Sequence, residues 1–389
     1  TRADFDFDRG SNAAATRINS SGLIEKYREN LLTESNNFSD SDWNKNAGGS
    51  FTSGQEGYDG SNDAWKFNVT TASNSGAWQN ITFSGVATFS AYFKKGTLDK
   101  IGFTNYAGSG YECWFDLTNG TIGQQTGDLI DAKIEAIGTN GWYRCSITDV
   151  GSGANYFQLK PSNAYSGTST AGHIFIQSAQ VESSLVATEY LNSTSVTAKA
   201  GVLVDLPRIN YDANGENGAL LLEPSRQQLV PYSELFSTAV GWSPQVVGSS
   251  TANVILNYGI SPDGYQNADR LQLALNGSSY ADWLYFLSVT SGTTYTYSVY
   301  AKSLSGNVDV EILGGTPTGN ILKEITTEWT RLTHTFTANA TSIYPRFLLQ
   351  AGTSSSADIL IWGAQLEPNA TYVSSYIPNH SGTGGVTRA

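Results

Sequence analysis

Residues 357–378 read Ala-Asp-Ile-Leu-Ile-Trp-Gly-Ala-Gln-Leu-Glu-Pro-Asn-Ala-Thr-Tyr-Val-Ser-Ser-Tyr-Ile-Pro, and residues 172–191 read Gly-His-Ile-Phe-Ile-Gln-Ser-Ala-Gln-Val-Glu-Ser-Ser-Leu-Val-Ala-Thr-Glu-Tyr-Leu. Each stretch is an apolar strand that ends in Ala-Gln, then Leu or Val, then Glu. A Tyr follows eight residues after that Glu in the earlier stretch and nine residues after it in the later one. Two such endings predict two copies of one module, provided that the residues upstream also align.

Upstream anchors recur in the same order in both halves of the chain, which predicts an internal duplication. The matched pairs are residues 31–43 with 229–242, 58–67 with 262–271, 78–83 with 283–289, 88–94 with 297–302, 141–147 with 328–336, and 176–182 with 361–367. Tyr92 and Tyr300 are 208 residues apart, whereas Trp142 and Trp329 are only 187 apart. The first copy therefore carries 21 more residues between these two anchors.

The composition is typical of short strands joined by polar turns. Among 389 residues only 14% are charged, against about 25% in an average protein, while 40 are Gly and 12% are aromatic. The net charge of −12 disfavours binding to nucleic acid, and no apolar run reaches the roughly 18 residues that membrane insertion needs. Because the chain has no Met, we expect Thr1 to follow processing or to begin a piece of a longer protein.

These patterns predict an all-β protein made of two tandem antiparallel β-sandwiches, since each copy has eight or nine short strands over about 160 residues. The predicted parts are a β-rich preamble (1–30), a first module (31–191), a β connector (192–228), a second module (229–379) and a flexible tail (380–389). Gly201-Val-Leu-Val-Asp resembles Gly22-Leu-Ile-Glu. We therefore expect the connector to pair with the preamble, with the first module inserted between them.

Several motifs resemble modules that are common in bacteriophage structural proteins and are similar to jelly-roll carbohydrate-binding modules. They are Asn30-Leu-Leu-Thr-Glu-Ser, Ser90-Ala-Tyr-Phe-Lys, Gly141-Trp-Tyr-Arg-Cys-Ser and Ile361-Trp-Gly-Ala-Gln-Leu-Glu. The resemblance implies jelly-roll sandwiches and a virion location, on a tail fibre or the capsid surface. It also implies other virion proteins as partners, a homo-oligomer with a trimer as one candidate, and host-surface polysaccharide as a ligand. Residues 7–25 and 207–226 resemble the segment that precedes such a module in that family. There the two pieces are contiguous, whereas here a whole module separates them.

No catalytic motif stands out in the sequence. His173, His334 and His380 are isolated from one another, and the patterns of zinc proteases, nucleophile elbows and phosphate-binding loops are absent. We therefore expect a protein without enzymatic activity and without a cofactor. Two alternatives stay open: a purely architectural decoration protein of the virion, and a glycan-binding appendage of a secreted polysaccharide-degrading enzyme.

A sugar site would need an exposed aromatic ring to stack on a pyranose, with neighbouring polar groups for its hydroxyls. The candidates are Tyr106, Tyr111 and Trp114 in the longer first copy, Trp78, the group Tyr280, Trp283 and Tyr285, and Trp362, which Gln177 replaces in the first copy. The competing interpretation is that these rings pack in the core. That interpretation is strongest for the aromatics found in both copies, Trp43, Trp142, Trp242 and Trp329.

Two acidic turns offer oxygen ligands for a structural calcium ion. They contain Asp59 and Asp63 in the first copy and Asp263 in the second. Asp-Gly is also an ordinary turn dipeptide, which is the favoured interpretation. Cys113 and Cys145 lie in strand-like runs, where buried free thiols are favoured over a disulfide.

Overall fold

The computed structural model describes residues 14–46, 48–70, 76–105, 111–127, 129–166, 170–212, 214–277 and 279–388, without the side chains of residues 105 and 111. In these ranges the only helical segment is the 3₁₀ turn Thr238–Val240, which confirms the all-β prediction. None of this described chain forms a helix with the length and apolar character needed to cross a bilayer. The chain divides into a first unit, residues 28–200, and a second unit, residues 14–27 with 201–388.

The strands are numbered along the chain. Before the connector they are β1 (Thr16–Ile18), β2 (Ile24–Lys26), β3 (Arg28–Asn30), β4 (Asn44–Lys45), β5 (Ser50–Gln55), β6 (Ala64–Val69), β7 (Ala77–Lys95), β8 (Lys100–Asn105), β9 (Tyr111–Asp116), β10 (Thr121–Thr126), β11 (Asp131–Ile137), β12 (Trp142–Ser162), β13 (Gly172–Glu182) and β14 (Ala198–Ala200). After it they are β15 (Ile209–Asn210), β16 (Ala219–Leu220), β17 (Arg226–Gln228), β18 (Trp242–Val246), β19 (Thr251–Gly259), β20 (Ala268–Ala274), β21 (Ala281–Tyr285), β22 (Leu287–Ser288), β23 (Thr294–Ser303), β24 (Val308–Gly314), β25 (Leu322–Ile325), β26 (Thr330–Thr337), β27 (Ser342–Leu349), β28 (Ser356–Pro368) and β29 (Val386–Arg388).

The second unit contains a sandwich of two antiparallel sheets. Its A sheet has the order β19-β20-β28-β23-β26, and its B sheet has the order β18-β21-β27-β24-β25, with β22 beside β27. Alternate residues of each strand point into one shared core, which includes Trp242, Tyr297, Phe347 and Ile361. The polar residues between them therefore define an outer face on each sheet.

The first unit contains the same arrangement, but its two sheets share long strands. β7 has 19 residues and β12 has 21, and they pair along nearly their whole length. Phe89 in the second half of β7 packs against Phe83 in the first half, with ring centroids 5.8 Å apart, so the two halves lie on opposite walls of the core. The first half of β7 therefore belongs to the B sheet and its second half to the A sheet.

Strand by strand, the two sandwiches correspond, and the longer first copy has β10 and β11 in addition. Its A sheet runs β5-β6-β13-β7-β12-β11, and its B sheet runs β4-β7-β12-β8-β9-β10. β9 and β10 form a hairpin, in which Phe115 pairs with Ile122 and Asp116 with Thr121. Cys113 and Cys145 are free and buried, as predicted.

The closing motif that identifies both copies ties the last strand to the chain that follows it. The side-chain oxygen of Gln180 accepts a hydrogen bond from the Leu191 amide at 2.7 Å, and Gln365 accepts one from Ile377 at the same distance. The glutamates of the motif likewise accept hydrogen bonds from the amides of Thr188 and Ser374. The motif is therefore a structural signature, since its polar groups are used within the fold.

A buried amide side chain joins the beginning and the end of each sandwich. In the first unit Asn30 accepts hydrogen bonds from the amides of Leu32 and Val181 and donates to the carbonyl oxygens of Ala179 and Leu191. In the second unit Gln228 makes the matching set with Val230, Leu366, Ala364 and Ile377. Both amides are fully buried.

The preamble and the connector pair with each other in the second unit. The Ile18 amide donates to the Asn210 side chain at 2.6 Å, and the Tyr211 amide donates to the Ile18 carbonyl at 3.0 Å. Gly201 adopts a φ of 82° beside Lys26, where a Cβ would lie 2.0 Å from the Lys26 carbonyl oxygen. The chain therefore passes from the second unit into the first after Tyr27 and returns to the second unit at Gly201.

The two ends of the first unit lie side by side, because β3 pairs with β14 and Arg28 is opposite Ala200. In the second unit β17 pairs with β29 in the same way. Residues 380–389, which composition predicted to be flexible, thus include a strand, and Arg388 within it is 1% exposed. Its guanidinium donates to the Pro224 carbonyl and to Ser375, which accounts for its burial.

Candidate functional site

The outer face of the B sheet in the second sandwich carries an exposed aromatic pair. Trp283 points into the core, so Phe286, three residues on, lies on the opposite side of the sheet. Phe286 is 56% exposed, and its ring centroid is 5.8 Å from that of Tyr344 at an angle of 66°. This pair presents ring surface next to the polar side chains of β27.

Beside the aromatic pair, a buried carboxylate holds an arginine in place. Arg346 donates from Nε to Asp282 Oδ1 at 3.2 Å and from Nη2 to Asp282 Oδ2, so the pair is bidentate. Burial raises the pKa of Asp282, and the Arg346 guanidinium opposes that rise. A Cβ at Gly314 would lie 2.6 Å from Arg346 Nη1, so glycine leaves the space that the guanidinium occupies.

The polar end of the same face is a second fixed pair. Gln350 donates from Nε2 to both oxygens of Glu311, at 3.1 and 3.0 Å. Leu348 lies between these groups, points away from the core and is still only 3% exposed, so the surrounding side chains cover it. The face therefore runs from aromatic rings through a guanidinium to an amide and a carboxylate. We call Phe286, Tyr344, Arg346 and Gln350 the second-unit face.

The corresponding face of the first sandwich also carries aromatic and amide side chains. Trp78 is half-buried and lies opposite Gln158, and exposed Asn80 lies opposite half-buried Tyr156. The positions of Tyr156 and Tyr344 correspond in the two sandwiches, and both point outward. We call Trp78, Asn80, Tyr156 and Gln158 the first-unit face, which keeps Trp78 as a site candidate.

Trp114 lies further along the same sheet but offers no stacking surface. It points away from the core, yet it is 1% exposed. Its ring lies against Gly102 on the neighbouring strand, where a Cβ would be 2.9 Å from three ring atoms. Trp114 is thus packed onto the sheet, which corrects its prediction as a sugar platform.

A cluster around Tyr165 was missed by sequence reasoning. Tyr165 is 38% exposed, donates to Asp116 Oδ2 at 3.3 Å and has Lys100 Nζ 5.1 Å from its ring centroid. Burial would raise the pKa of Asp116, but the amides of Asn119 and Thr118, with Lys100, lower it to about 2. Tyr165 follows the end of β12 in a run without periodicity, so the sequence carries no signal for it.

The aromatic group predicted around β21 is divided between core and surface. Tyr280 is 37% exposed. Trp283 is 3% exposed and donates to the Phe236 carbonyl at 3.1 Å, and half-buried Tyr285 packs on Trp242 with 5.5 Å between ring centroids. Trp283 and Tyr285 are therefore core residues, which corrects their prediction as sugar ligands. Alternation from buried Trp283 was the signal that could have found Phe286 instead.

Trp362 is fully buried, although it points outward from the A sheet. Ile24 of the preamble and Tyr376 cover it, and the Trp362 and Tyr376 ring centroids are 4.6 Å apart. Trp362 is thus covered scaffold, and its candidacy as a sugar ligand is corrected. Tyr106 and the side chain of Tyr111 lie outside the described residues, so their role stays a prediction.

The aromatics found in both copies follow the core prediction with one difference. Trp43, Trp142 and Trp242 are each 1% exposed, whereas Trp329 is half-buried and donates to the Ile260 carbonyl at 3.1 Å. The three buried residues confirm the prediction. Trp329 packs at the margin of the patch that contains Trp362.

The two acidic turns are built differently. Asp59 is exposed and accepts hydrogen bonds from the amide and hydroxyl of Ser61, as a turn residue does. Asp263 is buried and has the Lys26 ammonium 2.6 Å from Oδ2, so it already has a cationic partner. Within the described ranges, no group of His, Cys, Asp and Glu could hold a metal ion. Calcium binding at Asp59 and exposed Asp63 stays a prediction.

Comparison with known proteins gives structural likenesses only. No protein-family model matches the chain, and no curated protein sequence matches it. A tandem of two family 22 carbohydrate-binding modules from Paenibacillus barcinonensis Xyn10C is 11% identical with a TM-score of 0.30, over 92% of this chain and 99% of that one. The first module of that tandem alone, described as a xylan-binding domain, is 17% identical with a TM-score of 0.25, over 38% of this chain and 95% of that one.

A family 11 carbohydrate-binding module from a Clostridium thermocellum cellulase is 10% identical with a TM-score of 0.27, over 39% of this chain and 98% of that one. All three are bacterial modules. The strand order of this chain itself defines its two sandwiches.

Proposed function

We propose that this chain is a non-enzymatic structural protein of a virion, and that its sandwiches bind host-surface glycan through the outer faces of their B sheets. The observation that carries the proposal is the second-unit face, where exposed Phe286 adjoins Tyr344 and the fixed guanidinium of Arg346. An aromatic ring stacks on the apolar side of a pyranose, and flanking polar groups satisfy its hydroxyls.

The polar groups of this face suit binding rather than hydrolysis. Glycoside hydrolysis needs one carboxylic acid and one carboxylate that both reach the scissile bond. Asp282 is fully buried and used by Arg346, and Glu311 is held by Gln350. Both carboxylates therefore orient neighbouring donors, which would hold sugar hydroxyls.

The virion location rests on the resemblance of the motifs around Asn30, Ser90, Gly141 and Ile361 to phage structural modules. Several copies on one particle would convert weak individual sites into useful avidity. The duplicated sandwich fits such a role, because each chain then carries two outer faces of the same kind.

The test is retention of host-surface polysaccharide by the natural chain and by Phe286→Ala and Tyr344→Ala variants. Loss of a stacking ring is expected to weaken binding by about 1–2 kcal/mol, which is roughly tenfold. Tyr258→Ala is the matched control, since Tyr258 is 44% exposed on β19 of the other sheet. Equal binding by all variants, or release of reducing sugar by the natural chain, would refute the proposal.

A second candidate function, purely architectural decoration, is favoured by exposed leucines in the connector. Leu206, Leu220 and Leu222 are 48%, 46% and 77% exposed. Exposed apolar side chains of this segment would be available for a contact with another protein. This function would be favoured over adhesion if the natural chain binds no glycan on a broad array and the Leu222→Ser variant is no longer incorporated into particles.

A further inference from the structure

Lys26 lies between two carboxylates inside the second unit. Its Nζ is 2.6 Å from Asp263 Oδ2 and 2.8 Å from Glu234 Oε2. The Lys26 side chain is 11% exposed, that of Asp263 is 1% exposed and that of Glu234 is 0% exposed. Lys26 comes from β2 of the preamble, Asp263 from the turn between β19 and β20, and Glu234 from the chain that precedes β18.

Aromatic rings surround this group. The Lys26 ammonium is 5.4 Å from the ring centroid of Trp362, and the buried Tyr376 hydroxyl donates to Glu234 Oε1 at 3.1 Å. His380 Nε2 is 3.2 Å from Glu234 Oε2. Burying several ionised groups is costly, and the attraction between them repays that cost only in part. A covalent bond between Lys26 and Asp263 would remove the charges of that pair and leave Glu234 with Tyr376 and His380 as its partners.

The oxygens of Asp263 are held as a reacting carboxyl group would require. Oδ1 accepts hydrogen bonds from Ser261 Oγ at 2.6 Å and from the Tyr265 amide at 3.0 Å. Oδ2, which faces Lys26, accepts one from Asn267 Nδ2 at 3.0 Å. Two donors are therefore ready to stabilise negative charge on the oxygen that stays, and one donor contacts the oxygen that would leave.

We propose that Lys26 and Asp263 form an intramolecular amide bond, with Glu234 as the catalytic proton carrier. Glu234 takes a proton from the Lys26 ammonium, and the free amine attacks Cγ of Asp263. The bond between Nζ and Cγ forms and that between Cγ and Oδ2 breaks. Two protons that leave Nζ, one of them through Glu234, depart with Oδ2 as one water molecule. The reaction joins an ammonium and a carboxylate, so charge balances and no oxidant or co-reactant is needed.

The charges around Lys26 slow amide formation, whereas its proximity to Asp263 accelerates it. Burial alone would lower the pKa of Lys26, but Asp263 and Glu234 raise it, so the free amine is scarce. Burial would likewise raise the pKa of Glu234, but Lys26 and His380 lower it to about 2, so Glu234 is ionised at neutral pH and is only a weak base towards the Lys26 ammonium. Well-oriented groups react with effective molarities of about 10⁵–10⁸ M, so the fixed positions of Lys26 and Asp263 offset part of this cost and the reaction is expected to be slow.

The amide would join the preamble hairpin covalently to the turn that precedes β20. The hairpin covers Trp362, so the bond would keep this apolar patch closed even when the rest of the second unit is strained. This role is independent of glycan binding, because none of the three reacting residues belongs to the second-unit face.

The test is the intact mass of the full chain after incubation at neutral pH. The expected mass is below the sequence mass by one water molecule, and digestion should give one joined fragment that contains Lys26 and Asp263. Lys26→Arg keeps the positive charge and should retain the full mass. Asp263→Asn should form the same bond with loss of one ammonia molecule, which distinguishes this reaction from any other dehydration.

Glu234→Gln tests the proton carrier, and it should retain the full mass over the period in which the natural chain reacts. Amide formation at an unchanged rate in Glu234→Gln would overturn the role of Glu234. An unchanged mass of the folded natural chain after prolonged incubation would overturn the whole proposal, whether or not the variants fold.

Discussion

Replacing Gln228 or Asn30 by Ala should destabilise one sandwich and leave the other unchanged. Each amide accepts hydrogen bonds from two backbone N–H groups and donates to two backbone carbonyl oxygens. Alanine would leave all four groups without this partner, next to a fully buried position. Each substitution therefore removes the hydrogen bonds that join the beginning and the end of a sandwich, and it leaves the hydrophobic core unchanged.

The magnitude follows from those four groups. A buried N–H group without a partner costs about 1–3 kcal/mol of stability. A carbonyl oxygen without a donor costs less, and a water molecule can restore some of the lost hydrogen bonds. Two amides at about 1.5 kcal/mol each give a loss of about 3 kcal/mol. Asn30→Asp keeps the accepting oxygen but places a buried carboxylate against the Ala179 and Leu191 carbonyl oxygens, so it should be at least as damaging as Asn30→Ala at neutral pH.

The assay is urea unfolding followed by hydrogen exchange, resolved into fragments of residues 28–200 and 201–388. Asn30→Ala should lower the unfolding free energy of the first unit only, and Gln228→Ala that of the second unit only. A loss below about 1 kcal/mol in both variants, or an equal loss in both units, would refute the reasoning from unsatisfied groups.

Three further outcomes follow from the structure. Deleting residues 28–200 and joining Tyr27 to Gly201 should leave a folded second unit, measured by its cooperative unfolding, because Arg28 and Ala200 are paired neighbours. The pKa of Asp116 is about 2, against 3.8 in an unfolded chain, so its contribution to stability is present above pH 3.8 and lost as pH falls towards 2. Asp116→Asn should therefore make the stability of the first unit less dependent on pH in this range. An unchanged acid unfolding curve would contradict this expectation. Burial raises the pKa of Cys113 to about 12 and that of Cys145 well above its usual value. Both thiols should therefore resist a thiol reagent in the folded chain and react fully after denaturation. If neither thiol reacts after denaturation, the two cysteines form a disulfide.

The duplication was readable from the sequence because both copies keep the residues that close the module. Gln180 and Gln365 accept hydrogen bonds from backbone amides at corresponding places in the two modules, so both copies keep this residue. The positions of the extra strands were only partly predictable. The excess of residues before Trp142 was visible, but β10 and β11 share no pattern that assigns them to opposite sheets.

The site was predicted less well, because exposure depends on partners far away in the chain. Trp362 was predicted as a site candidate if exposed, but it packs against Ile24, and no local pattern connects these two residues. Trp114 is buried since a glycine on the next strand lets its ring lie flat, and strand pairing cannot be read from one sequence. Arg346 was overlooked because its partner Asp282 is 64 residues away.

The paired ends of the first unit have a consequence for the order of folding. Ile18 has partners at Asn210 and Tyr211, so the preamble must wait until the whole first unit has been synthesised. Once the first unit has folded, β3 and β14 bring Tyr27 and Gly201 together, and the long loop no longer opposes closure. The first unit would then act as an internal folding aid, and Asn30→Ala should slow refolding of the second unit even where its final stability is unchanged.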